Sequence, residues 1–173
     1  MPVSRTRKHK KRKKEPDGHL SASASALSPE HPLECCVINS DWRDAHMANI
    51  IIVRKTTSGF TAVGFLVDTW GMGLKDAFMH KGLSRIALDR LLAHAAGADE
   101  LVDCPLPLAQ ELVYGGLAWA RQHGFRPPAE AIRCLKILSA PPGEPDISRF
   151  GTKDGSPLII GGLETIKRFL TRR

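Results

Sequence analysis

The sequence predicts one mixed domain, α/β or α+β, with an N-terminal β-hairpin, three to four helices and a late short hairpin. Three observations predict it. Two apolar runs, ANIIIVRK and FTAVGFLVDTW, flank the turn-forming stretch TTSG, as the two arms of a hairpin would. Two later stretches carry helical spacing between proline and glycine punctuation. The chain has 173 residues, 42% hydrophobic and 25% charged, with no internal repeat, which suits a single folded core.

The elements follow in order. Residues 35–39 are a short first strand. Residues 48–55 are a stronger one, because Ile50, Ile51, Ile52 and Val53 in succession suit burial on both faces of a sheet. Thr56 to Gly59 turns the chain, and residues 60–70 return it. Gly71-Met72-Gly73 then breaks or bulges that strand, since glycine reaches backbone angles other residues avoid. Residues 83–96 are helical, with Leu83, Ile86, Leu91 and His94 near one stripe and Gly97 as the stop. Pro107 opens a second helix over residues 108–123, with Gly124 at its C-terminal cap. Residues 129–138 form a third, closed by Pro141-Pro142-Gly143. Asp154-Gly155 marks the late hairpin turn. Residues 163–170 form a closing helix, ending in the basic Thr171-Arg172-Arg173 that complements its dipole.

Charge divides the chain differently. Arg5, Arg7, Lys8, Lys10, Lys11, Arg12, Lys13 and Lys14 supply eight of the 25 cations within residues 1–14, and none of the 18 acids lies there. The other residues carry 17 cations against 18 acids, so the net +7 belongs to the tail and the body is close to neutral. Residues 1–14 have nothing to bury and are expected to be disordered. Residues 15–33, rich in Ser, Ala and Pro, are a linker, and residues 34–173 are the globular domain. No apolar run is long enough to span a bilayer, and Glu15-Pro16-Asp17-Gly18 follows the basic run where a secretory leader would need an apolar stretch. We therefore expect a cytoplasmic protein, or a nuclear one in a eukaryote, with no membrane partner.

Such a cationic run pairs with phosphates and releases condensed counterions without reading base edges. Its expected partner is a nucleic acid or a ribonucleoprotein surface such as the ribosome, through residues 5–14. An import signal or a merely solubilising tail has the same composition.

Candidates for chemistry in the body are sparser. Asp68 closes an apolar strand, where a metal-dependent nuclease places a ligand, with Asp76, Asp103 and Glu111 as companions. The competing reading makes Asp68 the start of a turn and Lys75-Asp76 a solvated pair. Gly71-x-Gly73 lacks the remaining features of a phosphate loop and fits a strand bulge better. Tyr114-Gly115-Gly116 sets two glycines inside a helix, each at a cost of about 1 kcal/mol against alanine, so another backbone should approach closely there. Trp70, Lys75 and Tyr114 are the candidates for a body site, although Tyr114, Trp119 and His123, aromatics at helical spacing, also fit a core. Cys35, Cys36, Cys104 and Cys134 do not have zinc-ligand spacing and read as reduced, buried thiols. His46, His80, His94 and His123 form no ligand pair. We expect no cofactor and no metal.

The segments LVDTWGMGLKDAF, LVYGGLAWARQHGF and FGTKDGSPLIIGG are similar to those of a family of uncharacterised bacterial proteins, over about residues 50–162. The resemblance implies one domain in a bacterial cytoplasm and carries over no catalytic residue. The function expected from the sequence is a non-enzymatic protein tethered to nucleic acid or ribonucleoprotein by its tail. The alternatives are a metal-dependent nuclease or phosphoryl-transfer domain using Asp68 with Asp76 or Glu111, and a protein-interaction module.

Overall fold

Ile50, Ile51, Ile52 and Val53 set the fold, because side chains that alternate along a strand cannot all be buried unless both faces are covered. All four are fully buried. The computed structural model describes residues 28–97 and 100–158. The basic tail, the linker up to residue 27 and the expected closing helix over 163–170 lie outside the described residues.

β1 (Leu33–Asn39), β2 (Met47–Thr56), β3 (Gly59–Asp68), β4 (Gly73–Leu83) and β5 (Leu101–Asp103) form one antiparallel sheet in the order β4-β3-β2-β1-β5. The fold is thus a single α+β domain. β2 and β3 make the expected hairpin, paired without interruption from Thr56↔Gly59 to Met47↔Asp68. β3 stops at Asp68, two residues short of the expected end. Gly71 and Met72 belong to the connection into β4. Of the two irregularities in the β3–β4 ladder, one lies between Phe60 and Ala62 and the other at Lys75, between the pairs Leu66↔Asp76 and Val67↔Leu74.

β4 and β5 are strands that the sequence did not announce. β4 sits at the sheet edge, where Lys75, Asp76, His80 and Lys81 interrupt any apolar run. Charge on an edge strand discourages pairing with another chain, so the same residues that hide the strand from pattern reading suit its position. β5 has only three residues and is held by its pairing with β1.

α1 (Trp42–Ala45) bridges β1 and β2. α2 (Arg85–Ala96) packs on one face, over Ile51, Val53 and Ala62. Leu83 ends β4 rather than starting this helix, and the Ser84 side chain caps it by accepting from the Ala87 N–H at 3.3 Å. The register then differs from the expected stripe: Ile86 is 66% exposed, while Leu88, Leu91, Leu92 and Ala95 face the sheet. Those four follow the i, i+3, i+4, i+7 spacing of one helical face.

α3 (Leu106–Gln122) and α4 (Ala129–Cys134) cover the opposite face. Pro105 caps α3 and Pro107 lies in its first turn, where a missing N–H costs nothing. Residues 135–137 continue α4 as one turn of 3₁₀ helix. Here the core gathers Ile50, Ile52, Val63, Phe65, Val67, Leu112, Val113 and Trp119. Each such side chain contributes roughly 1.5–3 kcal/mol by leaving water.

The glycine pair of α3 does have backbones against it. A Cβ on Gly116 would lie 3.0 Å from both the Leu74 nitrogen and Val67 Cγ1. One on Gly115 would lie 2.6 Å from the Asp146 carbonyl oxygen. The strand approach anticipated for this helix therefore comes from β3 and the start of β4, and a second segment presses from the other side. At the late turn, Gly155 N–H donates to the Thr152 carbonyl and Thr152 N–H to that of Ser156. The second arm expected there, Ile159 and Ile160, lies outside the described residues.

Candidate functional site

The strongest convergence of sequence candidates is the connection between β3 and β4. Asp68 ends β3, and its carboxylate turns back over the connection. Oδ1 accepts from the N–H groups of Trp70 (3.2 Å) and Gly71 (2.7 Å), and Oδ2 accepts from that of Met72 (3.2 Å). This is a side chain doing the work of a backbone turn. The Trp119 indole donates to the Gly71 carbonyl at 2.8 Å, which anchors the connection to α3. Gly73, at φ 72°, passes so close to α3 that a Cβ would sit 2.2 Å from the Gly116 oxygen.

Trp70 stands at the tip of this connection, 37% exposed. His46 stacks on it, ring centroids 3.5 Å apart and planes within 15°. The stack is held from below: Thr69 N–H donates to the His46 carbonyl at 2.9 Å, and Thr69 Oγ1 donates to the same oxygen at 3.2 Å. His46 adopts φ 54°, the left-handed region that lets α1 end abruptly before β2. Leu158 N–H closes the edge by donating to the Trp70 carbonyl at 2.7 Å.

The other candidates are placed as follows. Lys75 occupies the irregular position of β4, half-buried. Asp76 pairs across from Leu66, so it shares a sheet face with Asp68, and its Oδ1 accepts from the Ala77 N–H at 2.8 Å. A cavity of about 220 Å³ opens there, lined by Asn49, Phe65, Leu66, Asp76, Ala77 and Phe78. Glu111 stands across the sheet on α3, in an ion pair with Arg149. Asp103 is exposed on β5, opposite Val37. The structure therefore brings Asp68 and Asp76 to one face and leaves Glu111 on the other. Among the described residues, no three His, Cys, Asp or Glu side chains are grouped to hold a metal ion.

Tyr114 is partly buried against the core. Its hydroxyl donates toward the carbonyls of Leu138 (3.1 Å) and Leu135 (3.5 Å), which ties α3 to the turn after α4, and burial raises its pKa. His123 packs on Trp119, with ring centroids 3.9 Å apart.

Two features escaped the sequence reading. Arg54 is buried on β2, its Nη1 donating to the His31 carbonyl (2.7 Å) and its Nε to that of Ile137 (3.2 Å), and desolvation lowers its pKa. No local motif signals a guanidinium that caps backbone carbonyls. Cys36 and Cys104 come together although 68 positions separate them in the chain, because β1 pairs with β5. Only the strand order reveals that meeting.

Comparisons with protein-family models, with curated proteins and with solved structures found no match to this chain. No helix among the described residues is long and apolar enough to cross a membrane.

Proposed function

We propose that the protein associates with nucleic acid or a ribonucleoprotein surface, without sequence choice, through the cations of residues 5–14. The single observation that carries this reading is the charge partition: eight cations and no acid in residues 1–14, against 17 cations and 18 acids elsewhere. A near-neutral body adds little attraction of its own, so the affinity is concentrated in a segment whose binding is driven by counterion release. The exposed Trp70–His46 stack is the part of the body best suited to meet the bound strand, since an aromatic face accepts any unpaired base. Lys75 follows it in the chain at the start of β4.

A nuclease reading has less support. Asp68 already accepts three backbone N–H bonds, and its sequence partners Asp76 and Glu111 stand on opposite sides of the sheet. The test compares full-length protein with a form lacking residues 1–14, on labelled duplex DNA, single-stranded RNA and ribosomes, with EDTA or with magnesium. Binding only by the full-length form, with no requirement for magnesium, supports the proposal. Binding by the truncated form, or strand cleavage that requires magnesium and is lost in Asp68→Asn, would replace it.

A further inference from the structure

Cys36 lies on β1, and the β1–β5 register runs Asn39↔Leu101, Ile38↔Val102, Val37↔Asp103. The next pair in that register is Cys36 and Cys104, and the ladder does continue: Cys104 N–H donates to the Cys36 carbonyl at 2.9 Å. Residues directly opposite in such a hydrogen-bonded position have Cα atoms about 5.5 Å apart, with side chains on the same face. A disulfide spans Cα separations of roughly 4.4–6.8 Å. Both side chains are buried in the same core cluster, at 6% and 4% exposure, and both are reduced.

We propose that Cys36 and Cys104 are a redox-active dithiol that a peroxide converts to a disulfide, clipping β5 and the start of α3 to β1. This site is independent of the nucleic-acid reading.

The chemistry assigns the two sulfurs different parts. The neighbouring Cys36 thiol lowers the Cys104 pKa against the opposing effect of burial, and the Cys104 thiol lies 3.7 Å from the Pro105 carbonyl oxygen. The same pairing, together with burial, keeps the proton on Cys36. The attack is accordingly assigned to Cys104 and the resolving step to Cys36. The chain neighbours of Cys104 at the sheet edge, Asp103 and Pro105, are exposed, while Cys104 itself is buried. Its sulfur breaks the O–O bond of hydrogen peroxide, becoming a sulfenic acid and releasing hydroxide. The Cys36 sulfur then attacks the sulfenic sulfur, forming the S–S bond and expelling a second hydroxide. The two thiol protons convert both hydroxides to water, and two electrons pass from the thiols to the peroxide. Cys35, one residue away, points to the other face with the α2 cluster and cannot substitute.

The test treats reduced full-length protein with hydrogen peroxide, alkylates the remaining thiols, and maps the peptides. The expected product has lost the mass of two hydrogens and links Cys36 to Cys104. The link forms equally in Cys35→Ser and Cys134→Ser, is absent in Cys36→Ser and Cys104→Ser, and is undone by dithiothreitol. The oxidised form melts several degrees higher than the reduced form. A link through Cys35, oxygen addition without a link, or unreacted thiols in the folded chain would each overturn the proposal. The mapping is made on the unsubstituted chain, so a folding defect in a serine variant does not decide it.

Discussion

At the scale of single residues, two glycines with the same backbone requirement separate strain from crowding. Gly73 and Gly143 both have positive φ, 72° and 87°, but only Gly73 has a backbone oxygen where a Cβ would go. Alanine at 143 should cost roughly 1–2 kcal/mol, from the left-handed conformation alone. Alanine at 73 should cost about 3 kcal/mol or more, because α3 must also retreat from β4. Urea denaturation of both variants checks the difference. Asp68→Ala should cost on the order of 1–3 kcal/mol, since it leaves three N–H groups without their acceptor. Asp68→Asn should cost less, as its amide oxygen still accepts. Cys134 supplies a pH signature. Burial pushes its thiol from about 9 up to about 11, so the neutral form is favoured in the fold. A raised folded pKa gives stability that is present below pH 9 and is lost as pH climbs toward 11. Denaturant midpoints across that window should fall with pH, and Cys134→Ala should flatten the fall.

At the scale of elements, α2 tests how packing sets a helix register. The Ser84 cap and the Leu88, Leu91, Leu92, Ala95 face agree with each other, while Ile86 points to solvent. Leu88→Ala should therefore cost about 2–4 kcal/mol and Ile86→Ala within about 0.5, read as shifts in the denaturation midpoint. Equal effects would contradict the register. This element also shows what the sequence could not announce. Its existence followed from spacing and from Gly97, but its start did not, because Leu83 fits a strand end as well as a helix start. The same limit hid β4. An edge strand buries only half its residues, so the pattern of Ala77 and Met79 inward with Asp76 and His80 outward is diluted by Lys75 at the irregular position. The central hairpin was legible because its residues are buried on both faces and its turn is two residues long. The glycine pair of α3 was legible as a question. Its answer needed the positions of Leu74, Val67 and Asp146.

At the scale of the whole molecule, charge and fold are separable. The described body is a two-faced sheet on which four acids form ion pairs: Glu111 with Arg149, Glu130 with Arg133, Glu34 and Asp89 with Arg85. These exposed pairs contribute little to stability, about 0–1 kcal/mol each. The role proposed for the tail rests on composition alone, because counterion release depends on the number of cations rather than on their fold. Trp70 was legible as a candidate, but its pairing with His46 was not. The Trp70–His46 stack depends on a β3–β4 connection that brings residues 24 apart into contact. Trp70→Ala should leave duplex binding unchanged and weaken single-stranded binding by about 1–3 kcal/mol, measured by fluorescence titration.

The most direct measurement is the salt dependence of binding to one duplex DNA, for the native chain and for a full-length variant with Lys10, Lys11, Arg12, Lys13 and Lys14 replaced by Gln. If all eight tail cations meet phosphates, log Kobs should fall with log salt at a slope near −7, and the variant should fall to roughly −3. The same slope in both proteins, or tight binding by the variant at high salt, would contradict the account and place the binding surface on the folded body.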